Sequence, residues 1–124
     1  MKNKEQELKE LLGELKKNKK INVIVQFGSS VTKKEKPLSD IDLAIITSSE
    51  DKKIDIEIFS QTSERIDIVN FNKLPLYIQF EVFKHGKILF VRSKKILMEL
   101  QLKILKQYLE MSYFYERMSR RILS

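Results

Sequence analysis

The sequence predicts an α/β domain in which helices cover a small β-sheet. Short apolar runs rich in β-branched residues alternate with longer segments whose apolar residues recur at helical spacing. Such alternation of strands and helices is typical of a sheet that helices cover. A length of 124 residues suits one core, so we expect residues 1–124 to form a single domain.

The composition is that of a globular protein. Hydrophobic residues make up 42% of the chain and charged residues 33%, which argues against disorder. No apolar run approaches the length of a membrane span, and the polar N-terminus lacks the apolar centre of a signal peptide. The absence of cysteine excludes disulfides and thiolate metal sites and fits a reducing compartment, so we expect a cytoplasmic location.

The net charge of +7 suggests an anionic partner, which could be a nucleotide, a nucleic acid or an acidic protein. A lysine-rich surface that keeps the protein soluble explains the charge equally well. The lysines lie in short scattered pairs without interleaved aromatic residues, unlike a surface that stacks the bases of a single strand. Charge alone therefore does not assign a nucleic-acid partner.

The first part of the chain contains one predicted helix and two predicted strands. Residues 4–20 place leucines at helical spacing opposite charged residues, and Asn18 with its neighbouring lysines ends this helix. Residues 21–27 (INVIVQF) predict a short strand that is buried on both faces. Residues 40–46 (DIDLAII) predict a second strand of the same kind.

The segment over 48–61 fits two structures. Every second residue over 54–58 is isoleucine, as in an edge strand. However, Ser48 or Ser49 followed by two acidic residues resembles a helix N-terminus. We favour the helix.

The middle of the chain predicts two more strands around a helix. The strands cover residues 65–71 and 87–91, and the helix covers residues 74–86. Pro75 suits the first turn of that helix, and Gly86 suits the C′ position that follows a helix end.

The last segment, over 93–123, predicts one long helix or two helices in tandem. It carries an aromatic and arginine-rich cluster: Tyr108, Tyr113, Phe114, Tyr115, Arg117, Arg120 and Arg121. Packing within the core or between helices and a contact with a partner protein explain this cluster equally well, since aromatic residues and arginine favour interface centres. The apolar face would also suit a homodimer.

Three aspartates carry the chemistry that the sequence predicts. Asp40 and Asp42 project from the same face because residues two apart on a strand share a face. Two carboxylates this close repel each other unless a hard cation such as Mg²⁺ neutralises them. If the third strand lies beside the second, Asp67 joins the cluster, and three carboxylates holding two metal ions suit phosphoryl or nucleotidyl transfer.

The turn after the first strand predicts a phosphate site. Gly28 permits a tight turn and a close approach of the backbone to phosphate, and Ser29 can donate to a phosphate oxygen. Ser30 and the following residues could begin a short helix whose free N–H groups face the ligand. Lys33 or Lys34 could neutralise the outer phosphates as a point charge, but without the bidentate fork of arginine.

Each of these features has an ordinary explanation as a turn, a cap or a solvated strand edge. The combined spacing G-S-x10-D-x-D is rarer, since average residue usage produces it by chance on the order of once in a thousand chains of this length. It also lies between two apolar strands, which is the context that the chemistry needs.

The pattern that begins at Gly28 resembles the signature of the polymerase-β-like nucleotidyltransferase superfamily. The small size and the run over 65–91 resemble its minimal nucleotidyltransferase (MNT) group in particular, and the resemblance covers roughly residues 20–110. It implies the nucleotidyltransferase fold, an α/β (α+β) domain with a small mixed β-sheet flanked by helices.

The resemblance also implies roles for individual residues. Asp40 and Asp42 would bind Mg²⁺, Asp67 would be the third metal ligand and help to activate the acceptor hydroxyl, and Gly28 with Ser29 would bind the phosphates of ATP. Stand-alone members of this group are commonly antitoxins of a HEPN-domain RNase toxin, and some transfer AMP from ATP to a toxin tyrosine. The alternatives are an antitoxin that acts by binding alone and a basic nucleic-acid-binding module.

Two further sets of residues remain open. His85 is the only histidine, and a favourable charge near a helix C-terminus explains it better than catalysis does. Asp55 and Glu57 could replace Asp67 as the third carboxylate, although we favour Asp67 because an apolar strand surrounds it.

Overall fold

Within its described residues, the protein contains four strands, four α-helices and a 3₁₀ turn. The structure, a computed structural model, describes residues 3–28, 40–48, 52–60 and 65–123. The α-helices are α1 (Lys4–Lys16), α2 (Lys52–Phe59), α3 (Leu76–His85) and α4 (Lys94–Leu123). The strands are β1 (Ile21–Phe27), β2 (Ile41–Thr47), β3 (Ile66–Asn70) and β4 (Lys87–Val91), and the 3₁₀ turn covers Phe71–Lys73.

The four strands form one mixed sheet in the order β3-β2-β1-β4. β1 runs antiparallel to both β2 and β4, whereas β2 and β3 are parallel. A parallel pair needs a crossover connection, and α2 supplies it between β2 and β3. The predicted small mixed sheet with flanking helices is therefore confirmed, and the segment after β2 is a helix as favoured.

Helices cover both faces of the sheet. On one face, isoleucines and leucines of β1, β2 and β3 pack with α1 and α2, for example Leu43 with Leu15 and Ile58. On the other face, Val25 and Ala44 pack with α3 and α4 through Val82 and Ile104. The central strands β1 and β2 are buried on both faces, as their apolar sequences predict.

Both ends of α3 differ in detail from the expectation. Pro75 lies at the N-cap, just before the first helical residue, and its carbonyl accepts from the N–H groups of Ile78 and Gln79. Gly86 caps the C-terminus in an extended conformation, with φ of −74°, and not in the left-handed C′ conformation. Its small size is what matters, since a Cβ would lie 2.8 Å from Val25 Cγ1 and 3.0 Å from the Gln26 carbonyl oxygen.

The last segment is one continuous helix of 30 residues. Of its aromatic cluster, Tyr108 stacks on Phe80 with ring centroids 3.8 Å apart, so packing within the chain explains this residue. Tyr113, Phe114 and Tyr115 are exposed. Among the residues that the structure describes, none of the helices combines the length and apolar character that crossing a membrane requires.

Candidate active site

The predicted site residues that the structure describes lie at one edge of the sheet, where β1 ends and β2 and β3 begin. In the strand register Phe27 pairs with Asp42, and Asp42 pairs with Asp67 across the parallel strands. Register partners in parallel strands project from the same face, so the Asp42 and Asp67 side chains are neighbours. Asp40 lies just before β2 at the same edge.

Both carboxylates of this pair lie on the face of the sheet that α3 and α4 cover. Leu43 in β2 and Ile66 and Ile68 in β3 belong to the opposite face, against α1 and α2. Because side chains alternate along a strand, Asp42 and Asp67 must project the other way.

This placement distinguishes Asp67 from Glu57 as a candidate for the third carboxylate. Glu57 is exposed on α2, and α2 packs through Ile58 against the face of the sheet opposite Asp42. The Asp55 side chain lies outside the described part. Of these two candidates whose side chains the structure describes, Asp67 is therefore the one that the fold brings beside Asp42.

The electrostatics of the edge act mainly on Asp42. Partial burial raises the pKa of the Asp42 carboxyl above its ordinary value, and the negative charges of Asp67 and Asp40 raise the pKa further. Asp40 and Asp67 themselves are exposed. Three carboxylates at one edge thus favour either a proton on Asp42 or a cation beside it.

Gly28 lies directly against this carboxylate. Its φ of +81° is in the left-handed region that glycine adopts readily, and a Cβ there would lie 2.5 Å from Asp42 Oδ2. The sequence suggested glycine here for a turn beside phosphate. The structure adds a second reason, because any side chain would collide with the central carboxylate.

The donor set at this edge fits a hard divalent cation. Within residues 3–28, 40–48, 52–60 and 65–123, no three acidic or histidine side chains stand together as a complete metal-binding group. Mg²⁺ does not require one, since it usually takes one or two carboxylates and completes its coordination with waters and substrate phosphates. Such an ion would offset the repulsion between Asp42 and its two acidic neighbours, which contributes to the raised pKa of Asp42.

The other predicted phosphate ligands, Ser29, Ser30, Lys33 and Lys34, lie outside the described residues. Their roles stay predictions. Gly28 is the member of that loop that the structure describes, and it adjoins the carboxylates as expected.

The structure also shows a feature that the sequence did not predict. A cavity of about 280 Å³ lies beside Gly28, between the end of β1 and α3. Glu81 and His85 of α3 line it. The single histidine was the one sequence signal for this cavity, and its proximity to Gly28 depends on how α3 packs on β1.

A mixed sheet with paired carboxylates at its edge, beside a left-handed glycine, is the arrangement expected of a nucleotidyltransferase. The family model for polymerase beta nucleotidyltransferases matches residues 8–95. The chain belongs to this family.

Known proteins similar to this chain include a candidate protein adenylyltransferase of Methanocaldococcus jannaschii. It is 32% identical over 71 residues, which span 57% of this chain and 57% of that protein. The match thus covers little more than half of the relative's length.

Two solved structures share the fold over nearly the whole chain. A toxin–antitoxin structure with AMP-PNP has a TM-score of 0.71 at 18% identity and covers 98% of this chain and 99% of its own. A tri-AMPylated HEPN toxin of Shewanella oneidensis in complex with its MNT antitoxin provides a chain with a TM-score of 0.65 at 17% identity, covering 95% and 96%.

Proposed function

We propose that residues 1–124 act as one Mg²⁺-dependent nucleotidyltransferase domain that transfers AMP from ATP to a hydroxyl of a HEPN-domain toxin. The observation that carries the proposal is the pairing of Asp42 with Asp67 across parallel strands, with the Gly28 backbone against the Asp42 carboxylate. Family membership supports nucleotidyl transfer.

The site residues divide into two groups in this proposal. Asp40 and Asp42 hold Mg²⁺, and Asp67 is the third ligand. Gly28, Ser29, Ser30 and Lys33 receive the phosphates through backbone N–H groups, hydroxyls and a point charge. When bound, the metal ion would supply charge neutralisation at the α-phosphate and at the leaving group.

The reaction is a substitution at the α-phosphorus. The oxygen of the acceptor hydroxyl forms a bond to this phosphorus, the bond to the bridging oxygen of the β-phosphate breaks, and pyrophosphate leaves. Asp67 is exposed at the rim, where an acceptor on another protein can reach it, and its carboxylate accepts the hydroxyl proton.

The proposed partner and role follow from the relatives. A similar fold is seen in an MNT antitoxin bound to a tri-AMPylated HEPN toxin, and a relative in sequence is named for protein adenylylation. The absence of cysteine fits the cytoplasm, where ATP and a toxin of this type would be met.

A second candidate function is an antitoxin that neutralises its partner by binding without transfer. The observation in its favour is the phosphate loop, which contains lysines where a bidentate arginine would hold a triphosphate more firmly. The nucleic-acid-binding alternative depends on the net charge of +7 and predicts steeply salt-dependent binding.

Incubation with α-labelled ATP, Mg²⁺ and the HEPN-domain partner distinguishes these functions. We expect label on the partner with the wild-type protein and none with the double variant Asp40→Asn/Asp42→Asn. Glu57→Gln is the matched control, because it removes an exposed carboxylate on the opposite face and should leave transfer intact. A tight complex without label, formed equally by all variants, would establish binding without catalysis.

A further inference from the structure

The cavity beside Gly28 adjoins the carboxylate edge directly. Gly28 lines the cavity and also lies against the Asp42 carboxylate. A group that occupies the cavity therefore lies next to the proposed metal ligands. Because β1 and α3 of one chain form the walls, the cavity exists before any partner protein binds.

The lining of the cavity suits a flat aromatic group. Phe27, Ile78 and Val82 provide apolar walls, and one of them is aromatic, which suits contact with a base. The volume of about 280 Å³ is at the lower end for ligand sites, so it fits one ring system rather than a whole nucleotide.

Two polar side chains stand at the rim of these walls. Glu81 and His85 lie one helical turn apart on α3, with His85 Nε2 3.4 Å from Glu81 Oε2. That distance is too long for a tight hydrogen bond, and both side chains are about half exposed, so each can turn towards a ligand. The carboxylate supplies an acceptor, and imidazole in either protonation form keeps at least one N–H donor.

We propose that this cavity binds the adenine base of ATP, and that Glu81 and His85 form hydrogen bonds with the edge of the base. The inference rests on the proposed function, which supplies the nucleotide. Adenine presents an amino donor beside a ring-nitrogen acceptor along its N6–N7 edge, whereas guanine presents two acceptors there. One acceptor and one donor on α3 match the adenine pattern, and Phe27 contacts the ring.

The alternative occupant is the acceptor side chain of the partner protein. The walls of the cavity come from a single chain, which favours the base, since a nucleotide must be held before a bulky acceptor arrives. A tyrosine in the cavity would leave ATP affinity independent of Glu81 and His85.

Binding measurements with Mg²⁺ and three ligands test the assignment: ATP, purine riboside triphosphate, which lacks the amino group, and inorganic tripolyphosphate. The proteins are wild type, Glu81→Ala, His85→Ala and the control Glu110→Ala, which removes an exposed glutamate of α4. We expect wild type to bind ATP about tenfold more tightly than either other ligand, as one or two charge-assisted hydrogen bonds would give. Both α3 variants should lose most of this preference and keep the affinity for tripolyphosphate, whereas the control should resemble wild type.

Two results would overturn the assignment while leaving the proposed function intact. The first is an unchanged ATP preference in both α3 variants. The second is an unchanged ATP affinity combined with lost transfer to the partner, which would assign the cavity to the acceptor. If wild type bound neither ATP nor tripolyphosphate in the presence of Mg²⁺, the proposed function and this inference would fail together.

Discussion

Charged residues have opposite kinds of surroundings at the two ends of the sheet. At the end where β1 begins and β4 finishes, the Arg92 guanidinium donates to the carbonyls of Ile21 at 3.0 Å, Lys16 at 2.6 Å and Asn18 at 3.3 Å. The same guanidinium lies over the Phe90 ring, 5.1 Å from its centroid. These contacts tie α1, β1 and β4 together.

At the other end, Asp42 lies beside two charges of its own sign, those of Asp67 and Asp40. Partial burial makes the largest contribution to the raised pKa of Asp42, and the negative charges of Asp67 and Asp40 raise the pKa further. Gly28 beside it adopts a positive φ. A group that only held the fold together would have complementary neighbours, as Arg92 has. The Asp42 edge instead has the electrostatics of a functional site, where like charges persist for the sake of a ligand.

Replacement of Asp42 should have the largest effect on activity. Asp42→Asn is expected to lower AMP transfer by about a thousand-fold or more, because a metal ligand contributes several kcal/mol of transition-state stabilisation. Initial rates with labelled ATP and the partner measure this. A decrease of less than about tenfold would mean that Asp42 is not a metal ligand.

The two glycines Gly28 and Gly13 offer a matched test of backbone strain. Gly28→Ala should destabilise the protein by about 2 kcal/mol, since alanine is disfavoured at φ of +81° and its Cβ meets Asp42 Oδ2. Gly13→Ala, in the interior of α1 with nothing within 4 Å of the new Cβ, should stabilise it by about 0.5–1 kcal/mol. Urea unfolding measures both free energies. Equal effects of the two substitutions would mean that position 28 does not require glycine.

Substitution of Arg92 should lower the stability of the protein and leave AMP transfer unchanged. Arg92→Ala is expected to cost about 1 kcal/mol, a modest value because the side chain is largely exposed. Arg92→Lys should recover part of this loss, since lysine keeps the charge but not the planar fork. Thermal unfolding measures the stability, and the transfer assay measures the activity. A loss of AMP transfer at a temperature where Arg92→Ala is still folded would contradict a purely structural role for Arg92.

The sequence predicted best those features that a short segment of the chain specifies by itself. The strands over 21–27 and 87–91 were predicted with their observed bounds, because dense β-branched runs bounded by turn residues specify strands locally. The pairing of Asp42 with Asp67 was predicted only on the condition that β3 lies beside β2, which a long-range register decides.

Features that depend on packing between distant segments were missed. The cavity requires α3 to lie across the end of β1, and no short stretch of sequence encodes that contact. Part of the reason for glycine at position 86 was missed in the same way, since a Cβ there would meet Val25 and Gln26 of β1 as well as the Val82 carbonyl oxygen of α3.

We expect the charge on Asp42 to be costly in the metal-free protein and a divalent cation to relieve this cost. A folded-state pKa above the unfolded value means that the charged form of Asp42 destabilises the fold at neutral pH. This cost decreases as the pH falls through the raised pKa, and it disappears below the unfolded value of about 3.9.

The most direct measurement is the thermal unfolding of wild type and Asp42→Asn at pH 7 and pH 4, with and without Mg²⁺. We predict that Asp42→Asn is the more stable protein at pH 7 without metal, that the difference shrinks at pH 4, and that Mg²⁺ at pH 7 stabilises wild type much more than the variant. Equal stabilisation of both proteins by Mg²⁺, or a wild type that is already the more stable at pH 7 without it, would mean that the Asp42 charge carries no cost that Mg²⁺ relieves.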